Sequence, residues 1–213
     1  RLIAEDPRSA EIIKPWLRGR DVKRWRVDGG KLYLLFTRRG IDIKKYRAVS
    51  NYLEQFKERL MPGARGGRKP GNYAWYEIQD TIDYFAEFEK PKIVYPDIAA
   101  RCEFAFDAQG FYGGNTIYLI PQNDLALIGI LNSRIVEFFY RQITSMIQQD
   151  YMRFFSPYLG QTPIPVVTPQ QRHAIELLAR QLLDAQGVGP QVAVWEQELN
   201  DHVYELYKLN KAE

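Results

Sequence analysis

Across residues 113–165 the hydrophobic period changes from that of a strand to that of a helix. Asn115-Thr-Ile-Tyr-Leu-Ile-Pro121 alternates and is rich in β-branched residues, as suits a strand half buried in a sheet. Asp124 then stands where a helix cap is wanted. Leu125, Ile128, Leu131, Ile135, Phe138 and Phe139 follow at helical spacing on one face. Tyr151-Met-Arg-Phe-Phe155 is an aromatic, arginine-bearing return segment, and Pro163-Ile-Pro165 stiffens the exit. The predicted order is strand, capped helix, return segment and a Pro-x-Pro joint into further helix.

Upstream, Ser9 is a cap candidate for a short helix stopped at Pro15. Residues 23–28 and 31–37 read as paired strands around Gly29-Gly30, because Asp-Gly-Gly is strong turn chemistry between β-prone runs. Asp42 is a candidate cap for an amphipathic helix reaching Met61, with Tyr46, Val49, Leu53, Phe56 and Leu60 as its stripe. A short helix is expected over 80–90, and strands over 92–96 and 102–107. Downstream, Thr168-Pro-Gln-Gln171 offers a cap, a proline at the first helical position and a capping-box glutamine. Ile175, Leu178 and Leu182 carry the stripe to Gly187-Val-Gly-Pro190, and Val192, Trp195, Leu199, Val203 and Leu206 carry another. The expectation is an α/β fold: a mixed β-sheet with flanking helices over 1–165, then a C-terminal helical hairpin over 166–213 serving as scaffold.

A chain of 213 residues can hold one good-sized core with an appendage, or two small domains. Its 46% hydrophobic content is ordinary for a folded protein, and no apolar run reaches the roughly eighteen residues of a membrane span. The first residue is Arg1 rather than Met, as expected of a piece of a longer polypeptide. Cys102 is the single cysteine, so no intrachain disulfide forms and a reducing cytoplasm is the expected setting. His173 and His202 lie far from it and from each other in sequence, so no metal site is expected.

The net charge of +3 hides an asymmetry. Residues 1–72 hold 19 Lys and Arg against 8 Asp and Glu, whereas residues 73–213 hold 10 against 18. A positive first part suits a polyanion partner, or else pairs with carboxylates of the second part. Within it, Pro62-Gly-Ala-Arg-Gly-Gly-Arg-Lys-Pro-Gly-Asn-Tyr73 is a loop with four Gly, two Pro and three cations. Such a loop can lie against phosphates through backbone N–H groups and arginine forks, or act as a mobile, soluble connector. Its spacing is not that of a nucleotide-binding P-loop.

The pieces N-T-x-Y-x-I-P from Asn115, G-I-L-N-S from Gly129, R-F-x-S-x-Y-L from Arg153 and the later P-I-P occur in an order that resembles a known family. That family is the C-terminal specificity (target-recognition) domain of TaqI-like and type IIG restriction–modification DNA methyltransferases. It is more distantly similar to the specificity subunits of type I systems. Trp16-Leu-Arg-Gly-Arg-Asp-Val-Lys-Arg-Trp25 and Val203-Tyr-Glu-Leu-Tyr-Lys-Leu209 extend the resemblance over most of the chain.

The resemblance implies a non-catalytic module docked on double-stranded DNA. It would read the major groove while an N-terminal methyltransferase domain of the same polypeptide acts on adenine with S-adenosylmethionine. Mg²⁺ would be added for a parent that also cleaves. Arg38, Arg39, Arg65, Arg68 and Lys69 are then the phosphate or guanine contacts, and Asn72, Arg101 and Asn115 the base-reading candidates. Asn115 can pair with adenine or equally satisfy its own turn.

No Asn/Asp-Pro-Pro-Tyr/Phe tetrad and no glycine-rich strand-to-helix turn occurs, so catalytic residues are expected outside these positions. Pro96-Asp97 followed by Glu103 resembles a metal-dependent nuclease pair, but the lysine such a site needs is missing. The alternative function is a protein-interaction or dimerisation module with a basic face.

Overall fold

The computed structural model describes residues 1–30, 32–66, 68–147 and 150–209. Lys31 of the second expected strand, Gly67 of the basic loop and positions 210–213 of the expected hairpin domain lie outside the described residues. The backbone gathers into two compact units, one of Arg1–Trp16 with Gly30–Ala86 and another of Leu17–Gly29 with the chain from Glu87 onward.

In chain order the strands are β1 (Ile13–Leu17), β2 (Val22–Lys23), β3 (Arg26–Val27), β4 (Leu32–Leu35), β5 (Lys92–Pro96), β6 (Ile98–Ala99), β7 (Ala105–Asp107), β8 (Tyr112–Gly113), β9 (Ile117–Ile120), β10 (Met146–Ile147) and β11 (Tyr151–Arg153). The helices are α1 (Leu2–Glu5), α2 (Arg47–Glu54), α3 (Lys57–Leu60), α4 (Leu125–Leu131), α5 (Arg134–Ile143), α6 (Ser156–Leu159), α7 (Pro169–Asp184) and α8 (Val192–Leu206). The architecture is mixed α/β with several small sheets and helices at its C-terminal end, as the alternation of periods predicts.

In the first unit β1 pairs antiparallel with β4, Ile13 opposite Leu35 and Trp16 opposite Leu32. The expected hairpin about Gly29-Gly30 is therefore replaced. Residues 22–27 close on themselves as β2 and β3, Val22 opposite Val27 and Lys23 opposite Arg26. Gly29 serves close packing instead, since a Cβ there would fall 2.4 Å from the Phe111 ring. No helix runs from Ser9 to Pro15. Asp6 caps a 3₁₀ turn over Pro7–Glu11, Ser9 is buried within it, and Pro15 lies in β1 opposite Tyr33.

Asp42 caps a 3₁₀ turn (Ile43–Lys45), and the long helix expected after it is divided into α2 and α3. Ile12, Ile43 and Val49 form the core of this unit with Leu2, Ile13, Leu35, Ile41, Tyr46, Leu53 and Tyr76 packed on it. Of the helix expected over 80–90, only Phe85–Glu89 coils, as 3₁₀.

In the second unit β5 is the centre of an antiparallel sheet with β7 and β9, Lys92 opposite Asp107 and Ile93 opposite Ile120. β11 pairs with both β10 and β6. Asp124 caps α4 by accepting from Leu127 N at 3.0 Å. The apolar stripe that follows is shared by two helices, because Asn132 leaves the helix. Its buried amide accepts from Phe104 N at 3.0 Å and donates to Phe104 O at 2.9 Å. Ser133 then caps α5.

The Thr168–Gln171 capping box forms as expected, and α7 packs on both α4 and α8. A Cβ on Gly129 of α4 would meet Ile175 of α7 at 2.7 Å, so glycine sets this approach. Ile93, Phe104, Ile128, Tyr140, Phe154, Ile175, Leu182 and Leu199 belong to one buried cluster, so α7 and α8 share the sheet's core.

Candidate nucleic-acid interface

In the first unit the basic loop is organised by one aromatic ring. Tyr73 is buried and donates its hydroxyl to Lys69 O, while the guanidinium groups of Arg68 and Arg39 lie over its ring at 4.5 and 5.2 Å. Arg68 also donates to Leu60 O at 3.2 Å, to Trp75 O at 2.9 Å and to Glu77 O. Arg39 donates to Asn72 O at 3.4 Å and to Gln79 O. Both arginines thereby hold the loop in shape through carbonyls, which leave their charge uncancelled.

The structure brings Arg39, Arg68, Lys69 and Asn72 together about Tyr73. Lys69 and Asn72 are exposed, and Arg65 is exposed on the loop. Arg38 lies over the Phe85 ring at 5.3 Å. Among the described residues no carboxylate stands within ion-pair distance of Arg38, Arg39, Arg65, Arg68 or Lys69. A surface of this kind attracts phosphate by charge and offers planar forks to it.

In the second unit a groove of about 610 Å³ is lined by Arg18, Gly19, Arg20, Lys23, residues 96–100, Glu103, Thr116 and Tyr151. Its walls are tied by backbone contacts. Gly19 N donates to Thr116 Oγ1 at 3.0 Å, Asp97 N to Thr116 O at 3.0 Å and Phe154 N to Asp97 O at 2.7 Å. A Cβ on Gly19 would fall 2.6 Å from Thr116 O, so only glycine fits this approach.

Arg18 binds Asp21 through both carboxylate oxygens, Nε to Oδ2 at 2.9 Å and Nη2 to Oδ1 at 2.8 Å. These hydrogen bonds hold the Asp21 carboxyl below the ordinary carboxylate range. Trp25 anchors the segment from below. It adopts φ +70° in the Arg24-Trp25 turn, a left-handed conformation rare for a bulky residue, and its indole is buried. Trp25 Nε1 donates to Glu196 Oε1 of α8 at 2.7 Å. Arg24 Nε lies 3.0 Å from the same oxygen in an ion pair off hydrogen-bond geometry.

Asn115 occupies the exposed turn beside Thr116, and Arg101 stands 3.9 Å from the lining Glu103. Two of the base-reading candidates therefore flank this groove. Sequence reasoning passed over Arg20, Lys23, Thr116, Tyr151 and Arg153 as site residues. The five positive charges within residues 18–26 and the arginine of the R-F-x-S-x-Y-L motif were the available signals.

Asp97 and Glu103 both line the groove, beside Arg153 and Lys23 respectively, and no group of three or more His, Cys, Asp or Glu suited to a metal occurs among the described residues. Cys102 is fully buried, and burial pushes its thiol up, away from reactivity. No helix among the described residues is long and apolar enough to cross a membrane.

A family model described as the TaqI-like C-terminal specificity domain matches residues 14–164. The chain is 26% identical over 176 residues to the type II methyltransferase M.PaeR7I of Pseudomonas aeruginosa, an alignment covering 81% of this chain and 29% of that protein. Its fold is similar to part of the type IIL restriction–modification enzyme MmeI, whose structure is a complex with DNA. The TM-score is 0.65 at 19% identity, over 98% of this chain and 30% of that one. The chain thus spans less than a third of the length of either.

Proposed function

The chain belongs to the TaqI-like C-terminal specificity domain family, and we propose that it is the duplex-DNA recognition module of a restriction–modification enzyme. In this reading it performs no chemistry itself. An N-terminal methyltransferase domain of the same polypeptide supplies adenine methylation with S-adenosylmethionine, in the manner of a type IIG enzyme, in the cytoplasm of a prokaryote. Recognition is carried within residues 1–165, with 166–213 as scaffold.

The observation that carries the reading is the cluster of cations about Tyr73 that no described carboxylate neutralises. Arg38, Arg39, Arg65, Arg68 and Lys69 serve phosphates or guanine, and Asn72, Arg101 and Asn115 serve base edges. Arg65 is the cleanest test, because it is exposed and makes no hydrogen bond or ion pair with a described residue. Titration of the full-length protein with duplex at about 50 and about 200 mM salt should show a steep loss of affinity. Arg65→Ala should weaken binding to every sequence and reduce the salt slope by about 1. Arg101→Ala or Asn115→Ala should instead relax preference at one base pair, by about 1–3 kcal/mol.

The second reading, a protein-interaction module, is favoured by an open groove in the first unit lined by Leu2, Ile3, Ile13, Tyr33, Leu35 and Tyr52. Ile3, Tyr33 and Tyr52 expose much of their apolar surface there. Binding that lacks both salt dependence and sequence preference would favour that reading over DNA recognition.

A further inference from the structure

Acidic contacts of two kinds border the second-unit groove. Arg18 and Asp21 meet at 2.8–2.9 Å, the length of a charge-assisted hydrogen bond. The other pairs are slack. Asp97 Oδ1 stands 3.5 Å from Arg153 Nε, and Glu103 stands 3.7 Å from Lys23 Nζ and 3.9 Å from Arg101 Nε. Asp97 Oδ1 is shielded from solvent, yet it accepts no hydrogen bond from a described residue. The Arg153 contact gives it a neighbouring charge without the donor geometry that would satisfy it, and a desolvated acceptor without a donor is a standing cost to the fold.

The position of Asp97 is nevertheless well fixed. Its N–H is held by Thr116 O and its carbonyl by Phe154 N, at the bend between β5 and β6. Around it the groove presents Arg20, which is exposed and makes no hydrogen bond or ion pair with a described residue, together with the half-exposed ring of Tyr151. A carboxylate is acceptor-only when ionised. Toward a phosphate it is repulsive, so a surface meant only to track a DNA backbone gains nothing from it. Toward a base edge it discriminates. In the major groove adenine N6 and cytosine N4 carry donors, whereas guanine and thymine present acceptors at the corresponding positions.

We propose that this groove is a base-edge subsite in which Asp97 accepts a hydrogen bond from the exocyclic amino group of an adenine or cytosine, while Arg20 holds an adjacent phosphate. The proposal rests on the reading of the chain as a DNA-recognition module and assigns one base-selecting role within it. Arg153 stands beside the carboxylate, its Nε 3.5 Å from Asp97 Oδ1. The main-chain ties to Thr116 and Phe154 fix the backbone that carries it before DNA arrives, so little backbone ordering is left to be done on binding.

The test begins with the full-length protein and a randomised duplex pool, from which the preferred sequence is recovered. Each adenine and cytosine of that sequence is then replaced, one at a time, by an analogue lacking the exocyclic amino group. Deletion at one position should weaken wild-type binding by about 5- to 100-fold. The same deletion should change binding of Asp97→Ala by less than about 2-fold, as a pairwise contact requires. Asp97→Ser, which keeps a small polar residue at the bend, replaces Asp97→Ala if that variant does not melt cooperatively. Arg20→Ala should weaken all duplexes together and leave the preferred sequence intact.

If wild type and variant respond alike to every amino deletion, the Asp97 assignment is overturned while DNA recognition stands. If the wild-type protein recovers no preferred sequence from the pool, DNA recognition fails, and this inference with it.

Discussion

Lys92 and Asp107 are register partners across β5 and β7, and their side chains are sealed from solvent at 1% and 0% exposure. Lys92 Nζ binds Asp107 Oδ2 and donates to Phe88 O at 2.6 Å. The Asp107 carboxylate also accepts from Gln109 N at 2.8 Å and Phe111 N at 2.9 Å, so it shapes the turn out of β7. The pair is satisfied from both sides, the condition under which a buried ion pair is tolerated.

Removing one partner should therefore be costly. Lys92→Ala leaves a buried carboxylate without its cation and should lower unfolding free energy by about 3–5 kcal/mol in a urea titration. The joint change of Lys92→Met and Asp107→Leu should recover only part of this, because the Gln109 and Phe111 amides lose their acceptor. A loss below about 1 kcal/mol for Lys92→Ala would mean that water or rearrangement compensates the charge.

Arg68 is expected to show up in stability before it shows up in DNA binding. Its guanidinium spans carbonyls of Leu60, Trp75 and Glu77, a planar multi-donor geometry that a lysine ammonium does not reproduce. Arg68→Ala should destabilise the protein by about 2–3 kcal/mol, and Arg68→Lys should rescue little of that. Arg65→Ala should leave the melting temperature unchanged. If Arg68→Lys melts like the wild type, the carbonyl cradle contributes no more than a positive charge.

Gly187 accommodates the strained turn that carries Trp25. It adopts φ +64°, and a Cβ there would fall 2.9 Å from Arg24 O and 3.3 Å from the Trp25 ring. Gly187→Ala should cost about 1–2 kcal/mol from the left-handed conformation alone. It should also displace the segment bearing Arg18, Arg20 and Lys23, so that DNA affinity falls although residue 187 does not line the groove those residues border. Unchanged affinity alongside lowered stability would separate the turn from recognition.

Acid should loosen the Arg18–Asp21 clasp. Arg18 holds the folded-state Asp21 carboxyl below its ordinary value of 3.8, so the unfolded chain takes up the proton first as pH falls. The stabilisation is fully present above about pH 4 and disappears as pH drops through the lower folded-state value. Asp21→Asn should therefore be less stable than wild type at neutral pH, with the gap closing toward pH 2–3. A gap of constant size in urea titrations across that range would rule the ionised clasp out as its source.

What the amino-acid sequence determined by itself is whatever is settled within a few residues along the chain. Asp124 and the Thr168–Gln171 box were legible as caps because a cap bonds amides two or three positions away. The stripes of α7 and α8 were legible because a single buried face imposes its own period, whereas β9 is half-buried at all four positions, with Tyr118 and Ile120 against one core cluster and Ile117 and Leu119 against another. The basic loop and the charge asymmetry were legible from composition.

Tertiary structure alone decided the rest. Residues 31–37 announced a strand, but its pairing with β1 rather than 23–28 depends on which segments meet, and Asp-Gly-Gly suits a turn in either arrangement. Asn132 interrupts a continuous apolar stripe because its amide is claimed by the Phe104 backbone, 28 positions away. The loop arginines differ for the same reason: carbonyls brought from residues 60, 75 and 77 occupy Arg68, and among the described residues no such partner reaches Arg65. Arg20, Asp97, Thr116 and Tyr151 stand together only once β5, β6, β9 and β11 are in place. Local propensity acts through bonds one turn long, whereas the satisfaction of a buried or charged group depends on neighbours that the sequence does not place next to it.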